Sequence, residues 1–87
     1  MHVKALVGSG VALTQLGRSR EAIERYDRAL KLAPDDVEVH NNLGYTLASD
    51  GRIDEALPHF ERALMLNPRD ENARRNLEQI KTLREPR

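Results

Sequence analysis

Apolar residues along this chain recur at spacings of three and four, the period of helices that bury one face, and not at the spacing of two that marks strands. Ala22, Ile23, Tyr26 and Ala29 form one such stripe, and Ala56, Phe60 and Ala63 form another. The pattern predicts helices over residues 3–16, 19–32, 37–49, 53–66 and 71–84. Gly17 and Gly51 end the first and third, where a left-handed backbone costs only glycine little. Pro34 and Pro68 close the second and fourth, because proline bars helical geometry in the residue before it. The predicted class is all-α, with five helices.

The stripes repeat. At an offset of 34, residues 3–36 and 37–70 agree at 13 positions, among them Gly10, Gly17, Ala22, Ala29, Pro34 and Asp36. A fixed period of this size marks stacked helical hairpins, not one closed core. The expected organisation is a single domain over residues 1–87, with repeat one at 3–36, repeat two at 37–70 and a capping helix at 71–84. Gly10 and its equivalent Gly44 lie inside helices, where glycine costs about 1 kcal/mol against alanine, so a close helix crossing must compensate. The equivalent aromatics Tyr26 and Phe60 are expected to fill the space between layers. Pro58, inside the fourth predicted helix, deprives one carbonyl of its partner near the first turn. Glu21–Arg25, Glu24–Arg28 and Asp27–Lys31 place acid four residues before base on a solvated face.

These residues resemble the tetratricopeptide repeat, with Gly at 10 and 44, Ala at 22 and 56, an aromatic at 26 and 60, Ala at 29 and 63, and Pro at 34 and 68. The resemblance implies a right-handed α-solenoid of antiparallel helix pairs. It also implies a non-catalytic protein–protein interaction module that binds a peptide or partner segment in its concave groove. Carried over residue by residue, the groove takes Lys4, Val7, Val11 and Thr14 from repeat one and Glu38, Asn41, Asn42, Tyr45 and Ser49 from repeat two. The last helix adds Asn72, Arg75, Asn76 and Gln79. Asn41, Asn42, Tyr45, Arg75, Asn76 and Gln79 are the partner-binding candidates. Asn42 and Asn76 match an asparagine ladder known in the family, which Gly8 breaks in repeat one. The clamp with which chaperone-binding members grip a terminal carboxylate is absent: of its five positions only Asn42 fits, and Val7, Val11, Asn72 and Asn76 occupy the others.

Fourteen basic and fourteen acidic side chains cancel, which removes the positive field that nucleic-acid binding needs. A helix-turn-helix reading of residues 11–30 fails on the same ground, since Glu21, Glu24 and Asp27 would face phosphates. Gly8-Ser9-Gly10 begins like a dinucleotide loop, but Leu13 stands where a third glycine is needed and no strand precedes it. His2, His40 and His59 lack metal-ligand spacing, and no serine or histidine stands in a recognisable nucleophile and base arrangement. No cofactor, catalytic residue or metal ligand is therefore expected. The chain has no cysteine, which fits a reducing compartment, and the cytoplasm is the favoured location. No apolar run reaches the length of a membrane span. The N-terminal apolar run is short and broken by Gly8, Ser9 and Gly10, so it does not read as a secretory signal.

The two ends of the stack differ. Ala73, Leu77, Ile80 and Leu83 fall on one narrow arc of the last helix, as in a cap. The first helix spreads apolar residues over more than half its circumference, which one neighbour cannot cover. Either the chain is the C-terminal piece of a longer array, a regulatory or targeting part of a larger enzyme or scaffold, or the open face is covered by a second copy. Val3, Val7, Val11 and Leu16 are the candidates for that homo-oligomeric contact.

Overall fold

The computed structural model describes residues 2–84, which form five helices: α1 (Val3–Gln15), α2 (Ser19–Leu32), α3 (Val37–Ser49), α4 (Ile53–Leu66) and α5 (Glu71–Arg84). Four sit at the expected boundaries. The first ends one residue early, because Leu16 leaves the helix as its C-cap to set up the glycine turn. There Gly17 has φ +78°, and Arg18 N–H reaches back to the Leu13 carbonyl at 2.8 Å. The same closure recurs one repeat on, with Gly51 at φ +79° and Arg52 N–H donating to Leu47 O at 2.9 Å. This six-to-one bond over a left-handed residue satisfies carbonyls that the helix end would otherwise orphan.

The shared aspartates start helices. Asp36 accepts a bond from Val39 N–H at 3.2 Å, and Asp70 accepts from Asn72 N–H and Ala73 N–H at 3.0 and 3.2 Å. Each caps free N–H groups at the entry to α3 and α5 and puts a negative charge at the positive end of a helix. Helix α4 runs unbroken through Pro58.

Each helix lies against the next in sequence, and α3 also touches α1 and α5. The first helices of successive pairs are thereby neighbours, the geometry of a stack. The particle is elongated, 43 × 28 × 17 Å. Its interior is built from Ala22, Ala29, Ala56, Ala63 and Ala73, which let backbones approach, and from Leu6, Tyr26, Leu43, Phe60 and Ile80, which fill the gaps. Leu83 departs from the expected capping arc. It lies in the last turn of α5 and is 71% exposed, although the next residue, Arg84, still reaches Asp54 of α4 at 3.1 Å.

Polar contacts stitch the seams. The buried Asn41 amide donates to Asp70 Oδ2 at 2.9 Å, tying α3 to the turn before α5. His40 Nε2–H donates to the Pro34 carbonyl at 2.8 Å, while His40 Nδ1 and His59 Nδ1 meet at 3.1 Å between α3 and α4. On the surface, Glu21 pairs with Arg18 and not with Arg25 as the helical spacing suggested, and Glu55 pairs with Arg52 in the equivalent place. Exposed pairs of this kind add little to stability.

Candidate partner-binding groove

Helices α1, α3 and α5 line one face, and two cups open on it. The first, about 270 Å³, lies between α1 and α3 over Tyr26. The second, about 190 Å³, lies between α3 and α5 over Phe60. Tyr45, 57% exposed, forms a wall of both and makes them one continuous surface. Beyond the first cup, a shallow depression of about 500 Å³ is bounded by Val3, Lys4, Val7 and Val11 of α1 and by Asp36 and Glu38.

The cups are equivalent by the repeat. An offset of 34 carries Val11 to Tyr45, Thr14 to Ala48, Tyr26 to Phe60, Asn42 to Asn76 and Thr46 to Ile80. Their chemistry differs. In the first, Thr14 Oγ1 donates to the Gly10 carbonyl at 2.8 Å and lies 2.9 Å from Thr46 Oγ1. Tyr26 lies beside both threonines in the lining, and burial pushes its phenol above the usual value of 10.0. In the second cup the corresponding positions are Phe60, Ala48 and Ile80, and Leu83 adds a further apolar wall.

Of the six candidate groove residues, Tyr45 lines both cups, Asn42 the first, and Asn76 and Gln79 the second. Arg75 is exposed on α5 and lies outside both linings. Asn41 is not a groove residue: it is buried in the seam and its amide is committed to Asp70. One residue along a helix is about 100° of rotation, enough to turn Asn41 away from the face that Asn42 occupies. The four candidates for self-association do not share one outward face. Val3, Val7 and Val11 border the depression on the groove side, with Val7 buried, while Leu16 stands alone at 70% exposure. The hydroxyl pairing of Thr14 with Thr46 is absent from the sequence reading. Its signal is in the sequence all the same, since both positions are apolar one repeat later.

Among the described residues, no group of three or more His, Cys, Asp or Glu side chains converges as a metal site would require, and no helix is long and apolar enough to cross a membrane. The tetratricopeptide repeat family model matches residues 7–77. The chain belongs to the tetratricopeptide repeat family. Its right-handed helical-hairpin stack is therefore that of a protein–protein interaction module. No curated protein sequence matches it. Among solved structures it resembles the second tetratricopeptide repeat domain of Spaghetti (RPAP3) bound to the HSP90 peptide SRMEEVD, with TM-score 0.89 and 17% identity over 93% of this chain and 75% of that one. It also resembles MamA of AMB-1, with TM-score 0.82 and 26% identity, and MamA of MSR-1, with TM-score 0.82 and 24% identity. Each MamA match covers 94% of this chain, which spans 48% and 47% of those two proteins.

Proposed function

We propose that this repeat pair holds an extended segment of a partner protein across α1, α3 and α5, as a non-catalytic module, either alone or as the targeting part of a larger protein. The observation that carries the reading is the uninterrupted surface shared through Tyr45, with the amides of Asn42 and Asn76 at equivalent places on it. Each amide offers donors and an acceptor to a passing backbone, and Tyr45 adds apolar area beside them. Neutral hydrogen bonds are worth only about 0.5–1.5 kcal/mol net, so affinity is micromolar and spread over several contacts. The RPAP3 domain, of the same fold, is a structure with a bound peptide. The acidic terminus of that peptide is not the expected ligand here, because four of the five carboxylate-clamp positions differ.

Binding of display-selected peptides to the wild type, to Asn42→Ala with Asn76→Ala, and to the convex-face control Glu24→Ala tests the reading. The paired change should weaken binding about tenfold or more, and the control should not. Unchanged binding by a folded paired variant sinks the proposal. A second reading, self-association through α1, rests on the exposure of Leu16 and Val11, 70% and 37%.

A further inference from the structure

We infer that the two cups read two different side chains of one extended partner segment: an aliphatic side chain in the α3–α5 cup and a small hydroxyl- or amide-bearing one in the α1–α3 cup. This rests on the groove reading above and gives it a partner of definite chemistry. Both cups are smaller than the roughly 300–1,000 Å³ of sites for small organic ligands, at about 190 and 270 Å³. Each has room for one side chain.

The repeat offset isolates what differs. Both cups have an amide on the rim, Asn42 in one and Asn76 in the other, and both have an aromatic floor. Around the floor of the first stand three hydroxyls, those of Thr14, Thr46 and Tyr26, the two threonines bonded to each other. A hydroxyl oxygen keeps acceptor capacity beyond the bond it donates, so this cup can take a small polar group without leaving it dry. An aliphatic group there would cover the half-buried Thr14 hydroxyl without offering it a partner, at a cost. The second cup has no hydroxyl among its buried lining residues, the hydroxyls of Ser49 and Tyr45 being on exposed side chains. Phe60, Ala48 and Ile80 offer only apolar surface, and the exposed Leu83 and Tyr45 stand on opposite sides of it. Covering Leu83, 71% exposed, is the gain open to an aliphatic guest and closed to a polar one.

Neighbouring helices lie about 8–10 Å apart, and an extended chain advances about 3.3 Å per residue. The two recognised positions are therefore separated by about three residues. Groove charges are few, so neither position calls for an ionised side chain.

Panning a random-peptide display library on the full chain provides the probe. Aligned binders should share one Leu, Ile, Met or Val position, with Ser, Thr or Asn about three residues to one side. Truncating the aliphatic residue to Ala should cost about ten- to fiftyfold in affinity. Leu83→Ser alters only an exposed side chain and should remove most of that difference. Ala48→Thr combined with Leu83→Ser should shift the preference toward a hydroxyl residue, with circular dichroism reporting the fold. Peptides that bind and depend on Asn42 and Asn76, yet show no aliphatic position or ignore Leu83→Ser, overturn the assignment of the cups and leave the groove reading standing. Failure to recover any peptide sensitive to Asn42 and Asn76 removes both.

Discussion

A Cβ placed on Gly44 would lie 2.8 Å from Cε1 of Phe60, and in the first repeat a Cβ on Gly10 would lie 2.5 Å from Cε1 of Tyr26. These separations are shorter than carbon atoms tolerate, and both rings are buried, so each would have to shift from its packed position. Gly44→Ala should therefore destabilise the protein by about 1–3 kcal/mol through overpacking, less the fraction of a kcal/mol that alanine returns as a better helix former. Gly8 is the internal control, since it is exposed in α1 and a Cβ added there would meet nothing within 4 Å. Gly8→Ala should stabilise by about 0.5–1 kcal/mol. Thermal unfolding of the two variants should move in opposite directions, and a shared sign would refute the close crossing.

The His40–His59 pair makes stability depend on pH. A carbonyl can only accept, so Nε2–H of His40 points at Pro34 O, and in neutral His40 the Nδ1 lone pair receives Nδ1–H of His59. With the nitrogens 3.1 Å apart and the ring centroids at 5.4 Å, the rings meet nitrogen to nitrogen. Burial, and then the neighbouring His40, lower the His59 pKa below its usual 6.5, against the opposing pull of Asp27 on α2 and Glu55 on α4. A base whose folded pKa is depressed binds its proton more readily in the unfolded chain. The contribution of His59 is thus complete above pH 6.5 and lost as pH falls through the lower folded value. Unfolding temperatures between pH 8 and 5 should show this loss. His59→Gln, which can still donate to His40 but does not titrate, should flatten it. An equal slope in that variant assigns the loss to other groups.

Helix boundaries and the close glycines were legible in the sequence because each depends on a few residues near one another. Gly17 ends α1 by its own backbone angle, and Gly10 betrays a crossing by being an unfavourable helix residue retained in register. Side-chain partnership across helices was not legible to the same degree. Asn41 and Asn42 are both asparagines on one helix, and only the rotation of α3 against Asp70 separates the structural one from the exposed one. Leu83 fits the apolar arc of α5 by angle, yet it lines the open cup between α3 and α5 and stays exposed. The unequal cups lay in plain view as Thr14 against Ala48 and Thr46 against Ile80. They gained meaning only when α1 and α3 were brought together.

Asn41→Ala and Asn42→Ala should therefore separate folding from binding. The first leaves Asp70 without a partner across the seam and should cost about 1–2 kcal/mol of stability, although Asn41 Oδ1 is itself buried without a bond and limits the loss. The second removes an amide at the groove surface and should leave the unfolding midpoint within about 0.5 kcal/mol of wild type. Chemical denaturation of both decides it, and equal losses would place Asn42 in the core as well.

Self-association through α1 turns on Leu16. Val3 and Val7 are largely covered by the chain's own helices, so charging Val7, 8% exposed, would unfold α1 before it tested any interface. Leu16 is 70% exposed at the C-cap and can accept a charge without loss of packing. A contact centred there is small, and interfaces of much less than about 1,000 Å² are weak and transient. Light scattering should accordingly show association that grows with concentration in the wild type and is absent in Leu16→Glu, with identical unfolding temperatures for the two. A closed two-fold pair is the simplest arrangement, because it brings the same leucine from both copies to one axis. Wild-type protein that stays monomeric at millimolar concentration, or a Leu16→Glu variant that associates just as well, removes α1 as an interface and leaves the groove as the surface through which this chain meets other proteins.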